Sequence, residues 1–245
     1  MEDGGLMEGL APLVAALDAA AAAGRPRAFW WRDDDAVRVG PRLCALREVA
    51  ARHGAPLSLA VIPAGVEAGL LDWCGEEGVD VLQHGVAHAN HERHGKSAEL
   101  GAARPVATIV AECVAARERL ARSAAFLPVM VPPWNRMRED LAPALAEAGY
   151  RGLSRFGGPP VAGVLLRVDT HVDPIAWRTT RDLHAPEIRA AILAEAMAGE
   201  GPVGLLTHHA VHTAAVDAFV AAFVRLVSAH EGAVWRSARD LFGAS

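Results

Sequence analysis

Short runs of Val, Leu and aromatic residues alternate along the chain with longer, alanine-rich stretches of helical spacing. AFWWR (28–32), LSLAVI (57–62), VDVLQ (79–83), FLPVMV (126–131) and VGLLT (203–207) read as strands, too short for buried helices and closed by prolines or ionisable residues. VLLRV (164–168) reads the same way, less cleanly. Between them the spacing predicts helices over 41–54, with Gly54 as C-terminal cap, on to about 78, within 103–124, at about 137–148, near 186–199 and over 214–230. The last of these sets Val216, Phe219, Val220, Phe223, Val224 and Val227 on one face. Strand and helix in turn imply parallel strands with crossover helices, in either a closed (β/α) barrel or an open doubly wound sheet. No repeat, linker or composition break divides the chain. One domain over 1–245 is expected, with an N-terminal helix in 1–25, a core over 28–212 and a helical end over 213–245.

Composition narrows the class. At 52% hydrophobic and 22% charged residues, the chain has enough apolar material for a packed core. A net charge of −5 offers no footprint for nucleic acid, and scattered Lys and Arg offer no membrane patch. The apolar start carries Glu2, Asp3, Glu8 and Asp18 and lacks a basic leader, so it reads as an amphipathic helix rather than a signal peptide or a span. Cys44, Cys74 and Cys113 are odd in number, widely spaced and set in helical patterns, which favours free thiols and a cytoplasmic setting.

The chemistry collects at strand ends. Asp33, Asp34 and Asp35 follow AFWWR, His84 and His88 follow VDVLQ, and Trp134-Asn135-Arg136 follow FLPVMVPP. Asp169 and Asp173 follow VLLRV, and His208-His209 follow VGLLT. In parallel α/β folds the carboxyl ends of the strands open on one face, where sites form. Three adjacent carboxylates repel one another and are most easily tolerated beside a cation. Two imidazoles and one carboxylate make a His₂Asp set that leaves a position open on zinc for water.

With DDDA (33–36), HGVAH (84–88), VPPWNR (131–136), DPIAW (173–177) and LLTH (205–208) in that order, the chain resembles the polysaccharide deacetylases of carbohydrate esterase family 4. The resemblance spans about residues 28 to 212. It implies a single-domain irregular (β/α)7 barrel and a divalent-metal hydrolase that removes an N-acyl group from an amino sugar. Zinc is the expected ion, with cobalt or nickel as substitutes. By the same resemblance Asp34 is the general base, Asp35, His84 and His88 are the ligands, and His208 protonates the leaving amine. The triplet also admits Asp33 as base with Asp34 as ligand. Pro133, Trp134 and Trp177 are candidate substrate contacts, although tryptophans also serve as core.

The pattern departs from the family in places. Val131 stands where the family has an arginine, with Arg136 displaced beyond Trp134, and His209 falls where the family often has Asp. Asn90 and His91 have no counterpart there; they are either loop or groups that orient the ligands. His94, Lys96 and Glu99 read as loop. The expected partner is a small or oligomeric sugar substrate, with neither nucleic acid nor membrane. The alternatives are a catalytically silent sugar-binding relative and an amidase for small cyclic amides.

Overall fold

The structure is a computed structural model, described over residues 9–157 and 163–243. Chain contacts divide it into two compact units. The first comprises Met1–Arg32, Gly40–Leu57 and Thr170–Ser237; the second comprises Asp33–Val39, Ser58–Asp169 and Ala238–Ser245.

In the first unit, α1 (Ala11–Ala22) buries Leu13 and Leu17, so the amphipathic reading of this segment holds. Residues 1–8 lie outside the described part. Strand β1 runs Arg27–Ala36, and its stretch from Phe29 to Asp34 is buried throughout, as expected where both faces of a parallel strand are covered. Helix α2 (Pro41–His53) opens on proline and ends at Gly54, whose φ of 64° supplies the expected left-handed cap. After α6 (Pro186–Ala198) and β7 (Val203–Thr207) comes α7 (Ala214–Ala229), where the Thr213 side chain accepts the Val216 N–H. The six residues predicted for its apolar face are all buried. Phe29 packs edge-on against Phe223 and Trp235, with centroids 6.1 and 6.0 Å away. The helical end predicted after residue 213 is corrected by β8 (Ala233–Trp235), which pairs in parallel with Arg27–Phe29 of β1.

In the second unit the hydrogen-bonded order from the tail of β1 is β2 (Ser58–Val61), β3 (Asp80–His84), β4 (Phe126–Val131), β5 (Gly152–Leu153) and β6 (Leu166–Arg167). The pairings from β2 to β6 are parallel. Helices α3 (Ala68–Glu77), α4 (Val106–Leu120) and α5 (Leu141–Glu147) connect them, and α8 (Ala238–Phe242) follows β8 in sequence. Gly78, at φ 65°, caps α3. The apolar core gathers Ile109 and Cys113 of α4, Met130 of β4, Leu141 and Leu145 of α5, and Tyr150. Two predictions shrink here. VLLRV yields a strand of two residues, and the helix expected from 137 starts at Leu141, after an Arg138–Asp140 ion pair.

Seven strands lie on one hydrogen-bonded path, with β8 off it beside β1. Alternating strands and helices give the expected α/β class with a parallel sheet. The cysteines are free, Cys74 and Cys113 buried and Cys44 half-buried. No helix among the described residues is long and apolar enough to cross a membrane.

Candidate metal centre

The aspartate triplet does not follow the strand, as the sequence suggested, but forms its carboxyl end. Asp33 and Asp34 are buried, at 0% and 1% exposure, whereas the side chain of Asp35 is 37% exposed. The difference has a backbone cause. Asp35 adopts φ 70°, which turns it out of the pleat.

His84 ends β3 and is buried. Its Nδ1 lies 3.0 Å from the Val131 carbonyl, which only accepts, so the proton sits on Nδ1 and Nε2 presents a lone pair. That lone pair lies 3.2 Å from Asp35 Oδ1, and His88 Nε2 lies 3.4 Å from the same oxygen. Burial lowers the pKa of His88, its largest influence, partly offset by the Asp35 charge. The Nε2 atoms of both imidazoles therefore approach one carboxylate oxygen that is itself shielded from solvent. With both imidazoles neutral, such a cluster is repulsive until a cation stands among the three atoms, and the hard–borderline N₂O donor set suits zinc, cobalt or nickel. The residues present fit a divalent ion. Among the described residues this is the one group of three or more such side chains whose donor atoms converge, all within 4.8 Å of one another.

Trp134 closes on the same group, its ring centroid 4.3 Å from that of His88. Pro133 beside it is buried. Asp35, His88, Trp134 and Asn135 all have positive φ, between 53° and 70°, and Arg181 is the one other such non-glycine described. Left-handed backbone in residues with a Cβ is costly, and here it gathers at the candidate ligands and the ring against them. Arg136, the displaced arginine, donates to the Ser97 carbonyl at 2.8 Å.

His208 and Trp177 belong to the first unit and meet there, rings edge to face with centroids 4.8 Å apart. Asp173 accepts the Trp177 indole N–H at 2.8 Å and the Ile175 N–H at 2.9 Å, which explains the spacing of DPIAW. The Arg181 guanidinium lies 5.5 Å from the Trp177 ring. The His208 backbone N–H donates to His212 Nε2, and His212 Nδ1 lies 2.9 Å from Asp217 Oδ1. The Nδ1 atom of His208 is buried with no hydrogen-bond partner among the described residues.

The loop after His88 holds Asn90, His91 and Glu99, each named in the sequence. Asn90 Oδ1 accepts the N–H groups of Glu92 and Ala98, which makes it a loop organiser rather than a partner of the imidazoles. His91 donates its backbone N–H to the Ala98 carbonyl. Glu99 lies in the loop, as read, but is buried there, at 1% exposure.

No protein-family model matches the sequence, and no curated protein does. Solved structures do match. A family 4 carbohydrate esterase from Streptomyces lividans, solved with acetate, is 14% identical and superposes with a TM-score of 0.55 over 86% of this chain and 91% of its own. A T48 deacetylase with substrate gives 16% and 0.58, over 91% and 92% of the two chains. The peptidoglycan deacetylase PdaC from Bacillus subtilis gives 14% and 0.57, over 88% and 89%. Many of the structural neighbours are of this kind, and the chain has the fold of the family 4 carbohydrate esterases and polysaccharide deacetylases.

Proposed function

We propose that the chain is a divalent-metal hydrolase that removes an N-acyl group from an amino sugar or a glycan precursor. The observation that carries this reading is the convergence of Asp35, His84 and His88 on one point, on a fold shared with sugar deacetylases. Asp35, His84 and His88 would hold the ion, zinc by preference. Bound there, it would supply Lewis-acid activation of water near neutral pH.

The chain's own residues supply the proton traffic. Asp34, beside the ligand Asp35, takes the proton released as water oxygen bonds to the acyl carbon. The C–N bond then breaks, and His208 gives its proton to the departing nitrogen, leaving a free amine and a carboxylate. Without that proton an amide nitrogen is a very poor leaving group. Trp134 and Trp177 offer ring faces to the sugar, and Pro133 shapes the wall beside Trp134. Free thiols suit a cytoplasmic setting, where a small N-acylated amino sugar is the fitting substrate. A non-catalytic sugar-binding relative is the second reading, favoured by the engagement of Arg136 with Ser97.

Elemental analysis and a screen of N-acetylated sugars test the proposal on purified protein. The wild type is expected to carry one divalent ion per chain and to release acetate, and His88→Ala to lose both. Full metal stoichiometry in His88→Ala would remove the ligand assignment. Metal without hydrolysis would favour the binding relative.

A further inference from the structure

The turn from Gly85 to Ala89 belongs to no helix or strand, yet its polar backbone is closely accounted for. Gly85 donates to the Val131 carbonyl at 3.1 Å, and its own carbonyl accepts from Gln83 Nε2 at 2.9 Å. The Val86 carbonyl accepts the Ala64 N–H at 2.9 Å. Of the four other N–H groups in the turn, those of Val86, Ala87 and Ala89 point at one carboxylate. Glu99 Oε2 accepts from Val86 at 2.9 Å, and Oε1 accepts from Ala87 at 2.8 Å and from Ala89 at 3.2 Å.

A carboxylate at 1% exposure needs compensation. Arginine does not provide it directly. Arg104 pairs with Glu112 at 2.6 Å and reaches Glu99 only through its backbone carbonyl, at 3.3 Å. The compensation is the set of backbone donors, in bonds stronger than neutral ones because the acceptor is charged. The same carboxylate explains Gly85, whose φ is 57° and where a Cβ would collide with Glu99 and Pro133. Polar satisfaction, sterics and the path of the turn all depend on this one side chain.

We infer that Glu99 is a positioning residue whose carboxylate fixes the turn that leads from His84 to His88, and with it the spacing of their donor atoms. The consequence for metal rests on the reading of the centre given above; the role in the turn does not. Glu99→Gln is the informative change. Its amide oxygen still serves Ala87 and Ala89, but its NH₂ then faces the Val86 N–H, donor against donor.

The test measures amide hydrogen exchange without metal and Co²⁺ affinity by titration, in the wild type, Glu99→Gln and Glu92→Gln. Glu92 accepts the Ala103 N–H within the same loop and serves as control. In Glu99→Gln, exchange at residues 86–89 is expected to rise by about tenfold or more, and the Co²⁺ Kd by about 10–100-fold. Glu92→Gln should change neither. Wild-type exchange and affinity in a folded Glu99→Gln would overturn the inference. If the wild type takes up no Co²⁺, the metal reading fails, while the exchange arm still decides the role of Glu99. Should Glu99→Gln not fold, the wild type decides: Val86, Ala87 and Ala89 are expected to be protected like strand amides, and rapid exchange there would overturn the assignment.

Discussion

His84 spends its Nδ1–H on the Val131 carbonyl, and that one bond decides which nitrogen faces Asp35. With the imidazole neutral, lone pair meets carboxylate, and a repulsion is expected at the metal-free centre. An amide at position 35 can turn its NH₂ toward His84 Nε2 and relieve it. Asp35→Asn is therefore expected to raise the melting temperature of the metal-free protein by about a few degrees while abolishing divalent-ion binding. Calorimetry with and without metal measures both. A lowered metal-free Tm would contradict the repulsion.

Asp34 is buried one residue earlier and is proposed as the base. Asp34→Asn should keep its metal and lose kcat by about 10²–10⁴-fold, because an amide cannot take the proton from water. If Asp33→Asn gives this pattern and Asp34→Asn loses metal instead, base and ligand sit one residue earlier than proposed.

His208 has its own signature. His208→Ala should retain metal and fold and lose about 10²–10⁴-fold in rate on amides. On an activated ester, whose leaving group departs without a proton, the loss should be much smaller. Equal losses on the two substrates would assign His208 a structural role.

Tyr150 gives a pH prediction that needs no substrate, because it is the one tyrosine in the chain. Its hydroxyl lies 2.7 Å from Gln83 Oε1, and burial pushes its pKa well above the ordinary value of 10.0. The folded state therefore keeps the phenol proton where the unfolded chain, with a pKa of about 10, releases it. The stabilisation is complete below pH ~10 and is lost as the pH climbs through the folded value. Ultraviolet titration should show no phenolate in the native protein at about pH 10–11, with the signal appearing together with loss of tertiary structure. A native phenolate at ordinary pH would show the hydroxyl to be accessible.

FLPVMV and VGLLT could be read because strands with most or all of their residues buried are written as consecutive apolar residues, and both match β4 and β7 end to end. The face of α7 was legible from the 3.6-residue period for the same reason. In the candidate site, HGVAH and the triplet stood out by residue type. Convergence of Asp35 with both histidines was not written locally, since it depends on the left-handed turn at Asp35. The triplet looked like loop because aspartate is uncommon in strands; β1 nevertheless carries it, and Ala36 still accepts the Ile62 N–H. AVW, at three residues, owes its strand character wholly to pairing with Arg27–Phe29. Glu99 could not be found from KSAEL, because its role is set by amides at positions 86 to 89.

The left-handed residues at the candidate centre set a limit on engineering. Each such non-glycine position carries a cost of about 1–3 kcal/mol that glycine would largely remove. Asp35, His88 and Trp134 are three of them. A laboratory selection for heat tolerance alone would reward glycine at these positions and, in doing so, erase two candidate ligands and the ring beside them. A library built to harden this protein should therefore hold 35, 88 and 134 fixed and search elsewhere.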